Sequence, residues 1–327
     1  VRTSIVLIMV VGLSSAAIAD PVAQSSTLRM NHIQVIGSHN SYHAHPSEPL
    51  FSLVKEAYPA AATWAYDHPP LDVQLDRGVR SFELDLYFDT KAIKVLHVPR
   101  FDQNSTCETL VDCATVLRDW SKAHPDHVPV IVLLELKEDD VPQANIPVLS
   151  FDQAALVQLE RELTDVFSPE QLIRPDDVRG DAATLREAIT TTGWPNLDAV
   201  RGRILFALHT GGKAAETYAS MHPGLKGATA FLQAYGDEDY AAIYVLNNPT
   251  NPEITTRVKK GFIVRTRADA DLEEAAKNDT ARRDAALASG AQIITTDFFA
   301  GSPHEETGYV VTLGEDKAAR LNVVNGE

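Results

Sequence analysis

Polar residues able to do chemistry recur where short apolar runs of this chain end: His39-Asn40, Glu83-x-Asp85, His97, Glu135-x-Lys137, Arg265-x-Arg267 and Asp297. The first pair sits in VIGSHNSYHAHP, where three histidines and an asparagine crowd into residues 35–46. Histidine exchanges protons near neutral pH, which suits acid/base work. Three carboxylates (Glu83, Asp85, Glu135) with the amide oxygen of Asn40 are hard oxygen ligands, a set for Ca²⁺ or Mg²⁺ and a poor one for soft metals. Each residue also has a plainer reading. His39 alone could be a hydrogen-bonded structural residue and Asn40 a turn residue, Glu83 and Asp85 could be surface carboxylates of an edge strand, and Lys137 could merely pair with Glu135. Arg265 and Arg267 could pair with Asp269 or Asp271, and Asp297 could orient a site residue or close a structural hydrogen bond.

What joins these residues is the rhythm of the elements before them. Short runs rich in Val, Ile, Leu and Phe predict strands over 33–38, 80–87, 130–137, 203–208, 242–246, 262–265 and 292–296, with 93–96 hairpinning back on the second. Helical patterns fill 109–122, 151–167, 183–191 and 272–289. Ser150 with Gln153 reads as a capping box, and Ser168-Pro169 with Gln171 as a second helix start. Strand then helix, repeated without a compositional break, predicts one α/β domain built as a (β/α) barrel. Seven strands are clear, so the barrel is incomplete or its eighth strand hides between Leu172 and Val178.

A barrel of this kind gathers the residues at the C-terminal ends of its strands into one mouth. Side chains two apart on a strand share a face, so Glu83 with Asp85, and Glu135 with Lys137, should both point inward. Buried charges there need partners.

Residues 1–19 read as an export signal, with Arg2, an apolar run over 5–13 and Ala17-Ile18-Ala19 before Asp20. Residues 20–327 are then the mature domain, expected to be secreted or periplasmic. Cys107 and Cys113, six apart in CETLVDC, would pair in an oxidising compartment, with two unpaired buried thiols as the alternative. A zinc knuckle is disfavoured because neither cysteine has a further ligand at the right spacing. The net charge of −16, or −17 without Arg2, and the lack of any Lys/Arg block argue against nucleic acid as a partner. The same lack leaves membrane contact, expected to be transient, to apolar residues such as Phe298 and Phe299, which could equally be buried under the rim.

The motifs GSHNSY, FELDLY, LHVP, PVIVLLELK, GFIVRTRADAD and SGAQIITTDF, in this order over most of the mature chain, resemble the calcium-dependent phosphoinositide-specific phospholipase C family, whose fold is a distorted TIM barrel. The resemblance implies that Asn40, Glu83, Asp85 and Glu135 hold one Ca²⁺, Mg²⁺ being the lesser candidate. It implies that His39 and His97 are the acid/base pair and that Lys137, Arg265, Arg267 and Asp297 serve the substrate side of the site. The implied reaction is attack of the inositol 2-hydroxyl of a phosphatidylinositol on phosphorus, giving inositol 1,2-cyclic phosphate and diacylglycerol, with the protein acting as a monomer. His39 is read as base and His97 as acid, with the reverse assignment as the alternative.

Three rivals stand beside this reading. Glycerophosphodiester phosphodiesterases share the E-x-D, histidine and E-x-K pattern and would take a glycerophosphodiester, but typically carry His-Arg-Gly where this chain has His39-Asn40-Ser41. A zinc amidohydrolase could use His43-x-His45 with Lys137, His209 and Asp297. A non-catalytic calcium-binding module would have to lack the working histidines.

Overall fold

The computed structural model describes residues 27–138, 146–314 and 317–326; the expected signal, 1–19, lies outside them. Among the described residues ten strands form one sheet: β1 Ile33–Ser38, β2 Ser81–Asp89, β3 Ala92–Val95, β4 Val130–Leu136, β5 Ile204–His209, β6 Phe231–Leu232, β7 Ile243–Val245, β8 Ile263–Arg267, β9 Ile293–Thr296 and β10 Ala319–Leu321. Eight of them run parallel in the order β6-β5-β4-β2-β1-β9-β8-β7, and a single bridge, Gln233 to Ile243, joins the two ends. The result is a nearly closed parallel barrel in a single domain. Its strands read as continuous apolar runs because both faces are covered, one by the barrel interior and the other by the helices.

The eighth strand is β6, not a segment between Leu172 and Val178. That stretch makes only a bridge from Leu172 to Ile204 and then turns into a helix at Pro175–Arg179. Two residues of strand leave no periodicity to read. The ring is also splayed between β1 and β2, which meet at Gly37 and Ser81 alone, while antiparallel β10 fills the gap along Ile33–Val35. At that meeting point a Cβ on Gly37 would lie 3.0 Å from the Ser81 Cβ, a contact tighter than side chains usually make, so glycine eases the approach. The expected hairpin forms, β3 pairing antiparallel with β2.

Helix boundaries shift where local chemistry competes. The helix expected over 151–167 spans Gln153–Val166 and is capped by Asp152, which accepts from the Ala155 amide at 3.0 Å, in place of the Ser150 capping box. The start at Ser168 yields one 3₁₀ turn, Pro169–Gln171. The pattern over 272–289 splits into Glu273–Lys277 and Ala281–Ala288, because Asn278 adopts a left-handed φ of 50° that ends the first helix. Cys107 and Cys113 form a disulfide at the start of the helix Leu110–Ala123. No helix among the described residues is long and apolar enough to cross a membrane.

Candidate active site

Register brings the carboxylates together. Asp85 on β2 lies beside Glu135 on β4, and Glu135 lies beside His209 on β5, so three side chains at one height face the barrel mouth. Glu83, one pleat deeper and buried, accepts from His209 Nδ1 at 3.2 Å and pairs with Arg265. Lys137 Nζ lies 2.8 Å from Glu135 Oε1 and 3.4 Å from Asp85 Oδ2. β2 is a central strand between β1 and β4, which rules out the surface-carboxylate reading of Glu83 and Asp85.

The turn after β1 is stitched to β2 by its own small residues. Ser41 Oγ accepts from the Glu83 amide at 2.9 Å, and the Ser41 amide donates to Glu83 O at 2.9 Å. This forces Asn40 into a left-handed φ of 43°, which asparagine tolerates better than most residues. Its Nδ2 donates to Tyr66 OH at 3.1 Å, leaving the amide oxygen as the available ligand atom. His39 sits alongside, with Nδ1 3.0 Å from Asp297 Oδ1 and the Arg267 guanidinium 3.4 Å from Nε2. Burial and then Arg267 lower the His39 pKa, favouring a neutral imidazole with its lone pair on Nε2. Burial would raise the Asp297 carboxyl, but His39 and Arg267 together draw it down to about 2. Asp269 holds the Asp297 amide at 3.0 Å from beneath.

His97 follows β3 and donates from Nδ1 to Asp102 Oδ2 at 2.7 Å. Together His39, Asn40, Asp85, His97, Glu135, Lys137, Arg267 and Asp297 line one cavity of about 270 Å³, whose rim is completed by Thr63, Trp64, Tyr66 and Asp271. The two arginines divide: Arg267 reaches the cavity, whereas buried Arg265 is spent on Glu83, Asn247 and Thr295. Neither pairs with the carboxylate of Asp269 or Asp271, although Arg267 Nε donates to the Asp269 carbonyl at 2.9 Å. The zinc reading loses its ligand pair, since buried His43 points Nε2 at Asp102 and His45 turns away to Pro46 O. Sequence reasoning missed Asp102 altogether and weighed His209 only for zinc. A carboxylate five residues past His97 was the available signal for the first.

The carboxylates fit a hard cation. Asp85 Oδ1 is buried with no hydrogen-bond partner among the described residues. Burial and the Glu135 charge push the Asp85 pKa up to about 7, the mark of carboxylates packed closer than Lys137 alone can neutralise. A buried carboxylate oxygen without a partner, beside a second carboxylate at a barrel mouth, is what a Ca²⁺ site offers.

A parallel barrel with paired imidazoles and a carboxylate nest at its C-terminal mouth is the architecture of a barrel phosphodiesterase. Residues 28–93 and 88–323 match the family model described as phosphoinositide phospholipase C, Ca²⁺-dependent. The chain therefore belongs to the Ca²⁺-dependent phosphoinositide phospholipase C family, whose members are phosphodiesterases. Among solved structures it is similar to a calcium-dependent phosphoinositol-specific phospholipase C from Pseudomonas sp., with 17% identity, TM-score 0.64, and coverage of 94% of this chain and 99% of that one. The same Pseudomonas enzyme in its myoinositol complex gives TM-score 0.63 at 17% identity, covering 94% and 99%. A Ca²⁺-dependent phosphatidylinositol-specific phospholipase C from Streptomyces antibioticus gives TM-score 0.56 at 18% identity, covering 82% and 94%. Curated proteins yield no match.

Proposed function

We propose that this protein cleaves phosphatidylinositol by intramolecular attack of the inositol 2-hydroxyl, releasing diacylglycerol and inositol 1,2-cyclic phosphate. The observation that carries the reading is the cavity itself, which places two differently supported imidazoles, His39 and His97, around the nest of Asn40, Asp85 and Glu135. His39, neutral and held by Asp297, takes the proton from the 2-hydroxyl on Nε2 as its oxygen bonds to phosphorus. His97 gives a proton to the diacylglycerol oxygen as that P–O bond breaks. Arg267 and Lys137 supply positive charge for the phosphate oxygens. Asn40, Glu83, Asp85 and Glu135 would hold one Ca²⁺, which when bound lowers the 2-hydroxyl pKa and offsets charge developing at phosphorus. Burial would raise the Glu83 carboxyl, but the charge of deeper Arg265, the His209 hydrogen bond and the charges of His39 and His209 together keep it ionised and hold its pKa well below the usual range.

The test is phosphorus NMR of products from phosphatidylinositol and from glycerophosphoinositol, with Ca²⁺ or EGTA. A cyclic phosphate that forms only with Ca²⁺ is expected. Glycerol phosphate release, or turnover indifferent to EGTA, would defeat the reading.

A lipid substrate also requires a docking surface. Phe298 and Phe299 are buried. The helix Leu50–Ala57 and the turn after it, which leads to Trp64 at the cavity rim, instead expose Leu50 by 42%, Leu53 by 61% and Tyr58 by 44%. Full burial of such a side chain is worth about 1.5–3 kcal/mol, and these are already about half buried, so inserting one adds about 0.7–1.5 kcal/mol. The double change Leu53→Ser with Tyr58→Ser is expected to cut turnover on vesicles about 10-fold and to leave a soluble short-chain substrate within about twofold. Equal losses on both would remove this surface from the reading. The disulfide supports an extracytoplasmic site of action.

A further inference from the structure

We propose that Asp102 and His43 are positioning residues for the acid step, forming with His97 a relay in which one carboxylate oxygen serves two imidazoles. Asp102 Oδ2 lies 2.7 Å from His97 Nδ1 and 2.8 Å from His43 Nε2, while Oδ1 is buried with no partner among the described residues. Both bonds thus converge on one atom. Asp102 and His43 are fully buried, so neither can touch substrate.

The pocket around His43 sets its tautomer. Its ring stacks on Tyr66 at 4.3 Å between centroids and meets His97 edge-on at 5.5 Å. Nδ1 is buried and finds no acceptor among the described residues, so the single ring proton belongs on Nε2, pointing at Asp102. His43 is therefore a fixed donor that locks the carboxylate rotamer. The backbone locks it as well, since Asp102 and Val98 exchange both of their amide bonds, at 2.8 and 2.9 Å.

A carboxylate held this way accepts Nδ1–H from His97 and leaves Nε2 as the nitrogen open to the cavity. It also places a buried negative charge beside the imidazolium that must form before His97 can donate. The inference rests on the reading of His97 as acid: Nε2–H passes to the diacylglycerol oxygen as its P–O bond breaks, while His39 has taken the 2-hydroxyl proton. The relay acts on the leaving group alone. An ester whose leaving group departs as a stable anion needs no proton, so damage to the relay should depend on the substrate.

That dependence separates positioning from mere structural support. Asp102→Asn can keep an oxygen toward both imidazoles, but it removes the charge and leaves an amide NH₂ buried without an acceptor at the Oδ1 position. We expect its kcat on phosphatidylinositol in mixed micelles with Ca²⁺ to fall about 100-fold or more, and its kcat on 4-nitrophenyl inositol phosphate to fall by less than about 5-fold. His43→Phe, which keeps an aromatic ring against Tyr66 and loses only the donor, should show the same pattern at about 10-fold on the lipid, and it answers the question if the Asp102 variant does not fold. Equal losses on the two substrates, or no loss on the lipid, would overturn the relay while leaving the phospholipase reading intact. Wild-type protein that forms no cyclic product from either substrate overturns both.

Discussion

Replacing His97 with alanine is expected to lower kcat on phosphatidylinositol by about 1,000-fold, within the span that a general acid commands, while Ca²⁺ affinity stays within about threefold because no proposed ligand atom comes from this residue. The contrast with His39→Ala makes the assignment sharp. His39 acts on the nucleophile, so its loss should be equally severe whatever group leaves, whereas the His97 variant should recover most of its rate on 4-nitrophenyl inositol phosphate. Steady-state kinetics on both substrates, paired with calorimetric Ca²⁺ titration, checks this. Recovery in the His39 variant in place of the His97 variant would reverse the two roles, and loss of Ca²⁺ binding in either would make it a metal-site residue.

Calcium is expected to stabilise the fold, and to do so more at pH 8 than at pH 5. Asp85 titrates near 4 in an unfolded chain and is pushed up to about 7 in the native one, first by burial and then by the Glu135 charge. The ion-free native state therefore holds an extra proton between those values. Its favourable contribution is present at acid pH and is lost as pH rises through about 7. Above that pH the site carries uncompensated negative charge that Ca²⁺ can relieve; at pH 5 the ion must first displace the proton. At about 100 times the dissociation constant, binding adds about 2.7 kcal/mol, which in a domain of this size raises Tm by about 5 °C. Asp85→Asn removes the charge and leaves only a neutral amide oxygen as donor, so it should raise the ion-free Tm at pH 8 and shrink the response to Ca²⁺, with affinity at least about 10-fold weaker. Thermal unfolding followed by circular dichroism with CaCl₂ or EGTA reads every one of these; a larger Ca²⁺ effect at pH 5, or a response undiminished in Asp85→Asn, would count against the site.

The site was readable from the sequence to the extent that it sits on long strands. Val130–Leu136 is a continuous apolar run broken by one carboxylate, Glu135, and Ser81–Asp89 one broken by Glu83 and Asp85, two apart, and a period of two with a barrel rhythm suffices to send Glu83, Asp85 and Glu135 inward and upward. GSHNSY carried its own turn chemistry, so His39 and Asn40 could be placed at the first strand's end. Tertiary structure alone decided the rest. Two-residue β6 has no pattern because its burial is supplied by neighbours distant in sequence. Arg265 and Arg267 share a strand and look alike, yet depth separates them, since the deeper one meets Glu83, 182 residues away, and the upper one meets the cavity. Asp102 lies on a loop without periodicity, and its meaning comes from His43, 59 residues earlier. Periodicity reports which face of an element is buried; it says nothing of which buried charge another element will bring to meet it, and that pairing is what turns a row of polar residues into a base, an acid and a cation site.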